Sequence, residues 1–152
     1  MALSVGDTAP PIALRDQNGE EHRSDQLDGK ALVLFFYPKD DTPGCTMEAC
    51  AFRDSYADLR AMGAEVWGVS GDDQASHQRF ANRHQLPYPL LVDAGQRLRK
   101  AFGVPNVLGL LPGRVTYVID ANGVVRHIFN NLLDGPAHRN EAKAALQKLL
   151  SN

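Results

Sequence analysis

Two cysteines, Cys45 and Cys50, are the residues of this sequence best suited to chemistry, and they lie five positions apart. A cysteine thiolate is a strong nucleophile and a redox-active group. The five histidines are scattered along the sequence, so the paired ligand spacing of a zinc site is missing. The Cys-x-x-Cys motif of a dithiol oxidoreductase is missing as well. The alternative to a reactive thiol is an inert cysteine that serves as a small buried side chain.

The residues before Cys45 predict a helix that starts directly after a buried strand. An apolar run over 30–37 is broken by Pro38. Thr42 is a favourable N-cap, and Pro43 suits the first helical position because its missing N–H would have had no helical partner. Cys45 is therefore expected in the first turn, among unpaired N–H groups and at the positive end of the helix dipole. A thiol at that place should ionise more readily than a free cysteine.

The two cysteines are predicted to lie on different sides of this helix. Cys50 is about 140° around the axis from Cys45 at 3.6 residues per turn, and we expect it to face solvent. Their Cα atoms would be roughly 8–9 Å apart in an intact helix, whereas a disulfide needs about 4.4–6.8 Å. A disulfide between them therefore requires the first turns to unwind. The stripe that faces the core comprises Cys45, Ala49, Phe52, Tyr56 and Leu59.

Four polar residues are weighed as possible helpers of the thiol. Thr42 is either a plain N-cap or a hydroxyl that faces the same reactant as Cys45. Arg114 is either a solvated arginine at a strand start or a cation that favours the thiolate and donates hydrogen bonds to an oxyanion. Glu48 is interpreted first as a partner of the helix dipole in the first turn. His77 is interpreted as a residue on a helix surface.

Strands and helices alternate along the chain and end in a hairpin and a helix. Asn-Gly at 18–19 predicts a turn between two short segments, 10–15 and 20–23, and 24–27 suits a single helical turn. The segment 104–113 is predicted to be a loop without secondary structure. This order predicts a three-layer α/β domain with a central mixed sheet flanked by helices. Strands are predicted at 30–37, 65–70, 90–92, 114–119 and 124–129, and helices at 43–62, 74–85, 96–102 and 136–150.

Composition narrows the class of protein. With 152 residues and 43% apolar residues, one domain over 1–152 is expected. The net charge of −2 is scattered, which disfavours nucleic acid and membrane surfaces as partners. No apolar run approaches the roughly 20 residues that span a bilayer, and the first residues lack the pattern of a secretory signal. Two cysteines are too few for a disulfide scaffold, so a cytoplasmic, reducing location is expected.

The segment around the cysteines resembles a known active-site motif. Thr42-Pro-Gly-Cys45-Thr46 followed by Glu48-Ala-Cys50 is similar to the motif of peroxiredoxins, and a cysteine five residues after the reactive one resembles the peroxiredoxin Q or bacterioferritin comigratory protein subfamily. The similarity extends over most of the chain. Its later segments are Ser76-His-Gln-Arg-Phe80, Pro89-Leu-Leu-Val-Asp93, Phe102-Gly-Val104 and Arg114-Val-Thr-Tyr-Val-Ile-Asp120.

This resemblance implies a thioredoxin-like fold and a peroxidase that needs no metal, haem or flavin. It implies that Cys45 is the peroxidatic cysteine, that Cys50 is the resolving cysteine and that a thioredoxin-like protein is the reductant. It also implies that Pro38, Thr42 and Arg114 shape the peroxide site, and Gly44 and Glu48 join Pro38 as candidate pocket residues. One stretch, 105–111, departs from the subfamily pattern, which expects tryptophan and lysine there.

The resulting hypothesis is a thiol peroxidase that reduces hydrogen peroxide and organic hydroperoxides. Because both cysteines belong to one chain, turnover needs no dimer, and a monomer is expected. Two other classes stay open at this stage. One is a thiol–disulfide oxidoreductase acting on protein disulfides, and the other is a binding or holdase domain whose thiols are incidental.

Overall fold

A computed structural model describes residues 3–107 and 111–151. Five strands form the central sheet, β3 (Ala31–Phe36), β4 (Ala64–Ser70), β5 (Leu90–Val92), β8 (Val115–Ile119) and β9 (Val125–Asn130), in the order β5-β4-β3-β8-β9. The four α-helices are α1 (Pro43–Ala61), α2 (Gln74–His84), α3 (Arg97–Phe102) and α4 (Gly135–Leu150). Two short ladders complete the structure, β1 (Ala13–Arg15) with β2 (Glu21–Arg23) and β6 (Asn106–Val107) with β7 (Leu111–Pro112).

The sheet is mixed, because its central strand β3 pairs in parallel with β4 and antiparallel with β8. Side chains of β3 alternate between two buried clusters. Val33 and Phe35 pack with apolar residues of α1, α2 and α4. Leu34 and Phe36 pack on the other face with α3 and the N-terminal segment. Both faces are therefore covered, which is why β3 is an unbroken apolar run and which confirms the predicted three-layer architecture.

Helix α1 begins where the sequence predicted. Thr42 is the N-cap with an extended backbone, and Pro43 is the first helical residue. The helix ends at Ala61, and Gly63 follows with φ of 82°, a left-handed conformation that glycine adopts without steric cost. The end of β3 therefore leads through a short loop into the first turn of α1, and this junction positions the cysteine segment.

The prediction of a loop without secondary structure over 104–113 is wrong in part. Asn106 pairs with Pro112, and the Gly113 N–H donates to the Pro105 carbonyl oxygen at 3.0 Å. Two-residue strands are too short to show alternation, and a proline inside a strand argues against one unless the strand lies at an edge. The residues 108–110 between these strands, which belong to the stretch that departs from the subfamily pattern, lie outside the described residues.

A bilayer-spanning helix would need a long apolar stretch with few charges, and none of the helices in the described parts of the chain has one.

Candidate active site

Cys45 lies in the first turn of α1, at the carboxyl end of β3, as predicted. Its side chain is 1% exposed and belongs to the cluster under α1, α2 and α4. The Thr46 N–H donates to the Thr42 carbonyl oxygen at 2.8 Å and closes the turn around it. The sulfur thus combines an apolar surrounding with a position at the positive end of the helix dipole, which favours an anion there.

Arg114 brings a guanidinium directly to this sulfur. Its Nη2 lies 3.3 Å from Cys45 Sγ. Its Nη1 donates to Glu48 Oε1 at 2.6 Å, and its Nε donates to the Leu132 carbonyl oxygen at 2.9 Å. Three partners fix the plane of the side chain, which is buried. A Cβ at Gly44 would lie 3.0 Å from Nη2, so glycine lets the guanidinium approach closely.

Glu48 has a different place from the one expected for a partner of the helix dipole. Its side chain is fully buried and accepts a hydrogen bond from Arg114. Burial raises the pKa of the Glu48 carboxyl to about 8, although the charge and the hydrogen bond of Arg114 act in the opposite direction. Its Oε2 has no hydrogen-bond partner among the described residues and lies 3.5 Å from His138 Nδ1. Glu48 is therefore part of the site.

Thr42 and Pro38 lie in the segment between β3 and the first turn of α1. The Thr42 hydroxyl donates to the Lys39 carbonyl oxygen at 2.9 Å and makes no capping hydrogen bond to α1. The Thr42 carbonyl oxygen accepts the first hydrogen bond of the helix, from the Thr46 N–H. The N-cap position was predicted correctly, but the hydroxyl braces the loop. Pro38 is half-buried and lies two residues after the end of β3.

Cys50 lies one and a half turns further along an unbroken α1. It is half-buried rather than fully solvent-facing, and Arg53 and Tyr88 lie near it. The Tyr88 hydroxyl donates to the Ala49 carbonyl oxygen at 2.7 Å and covers this side of the helix. Both thiols are free. In this conformation the helix holds the two cysteines too far apart to bond, by the geometry of 3.6 residues per turn.

His77 is the clearest residue that sequence reasoning misplaced. It was expected on a helix surface, yet it is fully buried. Its Nδ1 lies 2.6 Å from Asp40 Oδ2, and its Nε2 lies 2.8 Å from the Leu91 carbonyl oxygen. Burial alone would lower the pKa of His77, but the hydrogen bond and charge of Asp40 raise it. The signal was the spacing of His77 with Phe80 and Ala81, which places all three on one helix face.

Asp40 was also missed. Its carboxylate accepts the Tyr37 hydroxyl at 2.6 Å and the Ser76 hydroxyl at 2.9 Å, in addition to the His77 ring. Asp40 belongs to the loop between Pro38 and Thr42, so these hydrogen bonds tie the loop before Cys45 to α2. No local sequence signal distinguishes this aspartate from the exposed or half-buried ones around it.

His138 is a second buried histidine that the sequence did not reveal. The Thr116 Oγ1 lies 2.7 Å from its Nδ1, and its Nε2 lies 2.7 Å from the Asn131 carbonyl oxygen. Burial lowers the pKa of His138 to about 4; the Asn131 carbonyl opposes this shift, and the nearby charge of Arg114 adds to it. The ring is therefore neutral at pH 7, with its N–H toward Asn131 and a lone pair toward the Thr116 hydroxyl.

In the described parts of the chain, two groups of side chains have donor atoms close enough to hold a cation, and neither includes a cysteine. They are Asp16, Glu20 and His22, and Asp40, Asp72 and His77. In each group a histidine–carboxylate hydrogen bond, of 2.7 or 2.6 Å, already accounts for the close approach.

Comparison with known proteins identifies this arrangement. The family model described as AhpC/TSA family matches residues 5–128. This chain belongs to the AhpC/TSA family. A chloroplastic peroxiredoxin Q from Sedum lineare is 50% identical over 148 residues, which cover 97% of this chain and 80% of the relative. Its counterpart in Oryza sativa subsp. japonica is 49% identical over 148 residues, 97% of this chain and 68% of the relative.

Solved structures agree. Peroxidoxin BcpB from Mycobacterium tuberculosis superimposes with a TM-score of 0.87 at 38% identity, covering 95% of this chain and 97% of that one. The predicted thioredoxin-like peroxiredoxin fold is confirmed, and so is the resemblance to the peroxiredoxin Q subfamily. The protein is a thiol peroxidase, which reduces a hydroperoxide at the expense of a thiol reductant.

The prediction of a cytoplasmic location is contradicted by these relatives. Both plant proteins are chloroplastic. The prediction depended on the small number of cysteines and on first residues that lack the pattern of a secretory signal. These features suit any compartment that supplies a thiol reductant, so they do not single out the cytoplasm.

Proposed function

We propose that Cys45 is the peroxidatic cysteine and that Cys50 resolves its oxidised form within the same chain. The observation that carries this assignment is the contact of 3.3 Å between Arg114 Nη2 and the buried Cys45 Sγ. A guanidinium at this distance stabilises negative charge on the sulfur and itself remains charged at all relevant pH values. Cys50 lacks a comparable arrangement in the described residues, because Arg53 near it is half-exposed and pairs with Asp54.

In the first step the Cys45 thiolate attacks one oxygen of the hydroperoxide. An S–O bond forms, the O–O bond breaks, and the leaving alkoxide or hydroxide takes a proton to become an alcohol or water. The sulfur loses two electrons and becomes a sulfenic acid. Negative charge moves from sulfur to the leaving oxygen, and the donors of Arg114 and the first N–H groups of α1 stabilise it. Pro38, Thr42 and Gly44 border the space where the peroxide binds.

Glu48 determines how much of the Arg114 charge the sulfur experiences. An ionised Glu48, 2.6 Å from Nη1, would share the guanidinium charge. Because burial raises the pKa of Glu48 to about 8, the carboxyl is largely protonated at pH 7. The positive charge then acts mainly on Cys45 and the peroxide. Glu48 also holds Arg114 in place through its hydrogen bond, so it acts as a positioning residue.

In the second step the Cys50 thiol condenses with the sulfenic acid. The S–S bond forms, the S–O bond breaks, and water leaves. The two cysteines cannot meet on an intact α1, so the turns that hold Cys45 must first unwind. A dithiol protein such as thioredoxin then attacks the disulfide and returns two electrons by thiol–disulfide exchange. All reacting groups belong to one chain, which supports a monomer as the functional unit.

Single cysteine substitutions test these roles. Cys45→Ser should abolish peroxide consumption, because no thiolate remains beside Arg114. Cys50→Ser should consume one equivalent of peroxide and stop, with a sulfenic acid trapped at Cys45. The measurements are stopped-flow peroxide consumption and mass spectrometry after one equivalent of peroxide, in which the unmodified protein should lose two hydrogens in a Cys45–Cys50 crosslink. Multi-turnover activity of Cys45→Ser with thioredoxin would refute the assignment.

A further inference from the structure

The start of α4 lies directly on the turn of α1 that holds Cys45. Gly135 is the first residue of α4 and is buried. A Cβ at Gly135 would lie 2.8 Å from the Glu48 backbone nitrogen, 2.8 Å from the Gly44 carbonyl oxygen and 2.9 Å from the Glu48 Cβ. Real Cβ atoms do not approach other heavy atoms so closely. Only a residue without a side chain allows the two helices to meet here.

Backbone conformation does not explain this glycine. The φ angle of Gly135 lies outside the left-handed region that favours glycine. The helix start is already capped, because Asp134 Oδ1 accepts the Ala137 N–H at 3.0 Å. Most residues fit such a position in a helix, and glycine is among the less favourable ones. The contact with α1 is therefore the feature that requires it.

Two of the atoms near Gly135 belong to the backbone of α1 and have a particular relation to each other. The Gly44 carbonyl and the Glu48 N–H are four residues apart, which is the spacing of one α-helical hydrogen bond, and Cys45 lies between them. The backbone of α4 thus packs against the peptide groups that keep the Cys45 turn wound. These are the groups that must separate before Cys45 can reach Cys50.

The same region of the chain also holds Arg114. The Leu132 carbonyl oxygen accepts the Arg114 Nε–H, and the Asn131 N–H donates to the Arg114 carbonyl oxygen at 3.2 Å. The Asn131 side chain in turn accepts the Asp134 N–H at 3.1 Å, directly before α4. A displacement of the α4 start would therefore disturb both the wound turn and the guanidinium.

We propose that Gly135 is a positioning residue whose missing side chain lets α4 hold the Cys45 turn wound, and so sets the balance between peroxide reduction and disulfide formation. This inference rests on the proposed function of Cys45 and Cys50. A tightly held turn favours the first step and delays the second. The delayed sulfenic acid can then meet a second hydroperoxide, gain one oxygen with release of an alcohol or water, and become an irreversibly oxidised sulfinic acid.

Gly135→Ala should separate the two helices and shift this balance. We expect the rate of peroxide reduction to fall and the rate of disulfide formation to rise, each by at least about fivefold, the low end of what an extra methyl group costs in a packed site. The fraction of sulfinic acid formed at high peroxide should fall accordingly. Stopped-flow kinetics give the two rates, and mass spectrometry gives the sulfinic fraction.

Gly68→Ala is the matched control. A Cβ at Gly68 in β4 would lie 2.8 Å from Phe35 Cζ and 2.9 Å from Leu90 Cδ2, which is an equally close contact inside the core but away from residues 43–48. This variant should lose stability without moving the two rates in opposite directions. If both variants give the same pattern, Gly135 acts only through overall stability and the proposal is wrong.

A milder variant guards against misfolding of Gly135→Ala. Asp134 is exposed and caps α4. Asp134→Ala removes this cap and should loosen the contact between the start of α4 and the Cys45 turn. We expect shifts of about two- to fivefold in the same directions, with faster hydrogen exchange of the Glu48 amide. Unchanged disulfide formation in Asp134→Ala, or unchanged Glu48 exchange, would overturn the proposal. Failure of the cysteine assignments would show separately, in the Cys45→Ser and Cys50→Ser variants.

Discussion

Two buried carboxyl–histidine pairs have their carboxyl groups on either side of Cys45 in the sequence, and the pKa values of their histidines shift in opposite directions. Asp40, which pairs with His77, precedes the cysteine. Glu48, which is near His138, follows it. In each pair the histidine Nε2 lies close to a backbone carbonyl oxygen, at 2.8 Å for His77 and 2.7 Å for His138. Yet the pKa of His77 is raised, whereas that of His138 is lowered to about 4.

The two histidines differ in the direction of their pKa shifts because their carboxyl groups have different closest partners. Asp40 lies 2.6 Å from the His77 ring, and its other partners are neutral hydroxyls. Glu48 is 3.5 Å from the His138 ring and makes its short contact, 2.6 Å, with Arg114. The Arg114 charge also lowers the pKa of His138 directly. The pKa of a buried histidine is thus raised where a carboxylate is free to pair with it, and lowered where an arginine is the closer partner of the carboxyl group.

The two pairs consequently have different tasks. The Asp40 pair is a closed network that fixes the loop before Cys45 to α2, and the Asp72 carboxylate lies close to it. The Glu48 pair leaves Arg114 with a positive charge that is only partly compensated, next to the sulfur. The Asp40–His77 pair therefore stabilises the fold. The Glu48–His138 pair, together with Arg114, supplies the electrostatic field at the sulfur.

Asp40→Asn should have the largest effect on stability. It removes the carboxylate that raises the pKa of His77 and turns an amide toward hydroxyl donors, and breaking a buried pair in this way costs about 3–5 kcal/mol. Urea unfolding at pH 7 measures the loss, and a double-mutant cycle with His77→Gln measures the coupling of the two residues.

Asp41→Asn is the control for that experiment. Asp41 is the next residue and pairs with Arg83 at 3.2 Å on the surface. An exposed pair of this kind contributes about 0–1 kcal/mol. A loss from Asp40→Asn no larger than the loss from Asp41→Asn would contradict the assignment of Asp40 as a structural anchor.

Arg114→Gln should have the next largest effect, and it should act on the reaction. Loss of one preorganised donor to a developing anion typically slows a reaction by about 10²–10³-fold. Stopped-flow measurement of peroxide consumption gives the rate. The pKa of His138 should rise from about 4, because the cation that lowers it is gone, and NMR titration of the ring follows this shift.

Arg99→Gln provides the comparison. Arg99 is also a buried arginine, but it donates to the Pro105 carbonyl and the Asn106 side chain on the opposite side of the sheet. We expect the rate of peroxide reduction to stay within about twofold of the unmodified protein. An equal loss of rate in both variants would mean that any buried arginine supports the fold in the same way, and the electrostatic role of Arg114 would be wrong.

Local signals explain why the sequence predicted part of this site. Consecutive residues are enough to recognise the apolar run of β3, the Thr42-Pro43 helix start and the position of Cys45 in the first turn. The mixed three-layer fold follows from the order of such segments. Arg114 was proposed as a helper because it lies at the end of a core strand, and the structure places its guanidinium 3.3 Å from the sulfur.

The partners of the buried groups could not be predicted in the same way. Asp40 and His77 are 37 residues apart, and Glu48 and Arg114 are 66 residues apart. Periodicity shows that a histidine shares a face with apolar residues, but it does not show which carboxylate that face meets. The ladder at 106–112 was missed for a different reason, since two-residue strands have no period to detect.

His138→Gln should have the smallest effect of the three, and it should appear only as a change with pH. A histidine whose pKa falls from 6.5 to about 4 on folding binds its proton less readily in the folded state, so its contribution to stability is lost as pH falls from about 6.5 to about 4. At 1.36 kcal/mol per unit, the loss reaches roughly 3 kcal/mol.

Glu48 acts in the opposite direction over part of this range, because its folded pKa of about 8 makes the folded state hold a proton that the unfolded chain releases above about 4.5. The informative quantity is therefore the difference in unfolding free energy between His138→Gln and the unmodified protein, measured by urea unfolding at intervals from pH 4 to 7. Glutamine keeps one donor for the Asn131 carbonyl and one acceptor for the Thr116 hydroxyl, so this difference should change by up to roughly 3 kcal/mol across the range.

Thr116→Val retains the histidine and should retain the pH dependence while lowering stability at every pH. A constant difference for His138→Gln from pH 4 to 7 would mean that the ring does not titrate between the folded and unfolded states as proposed, and the contrast between the two buried pairs would disappear.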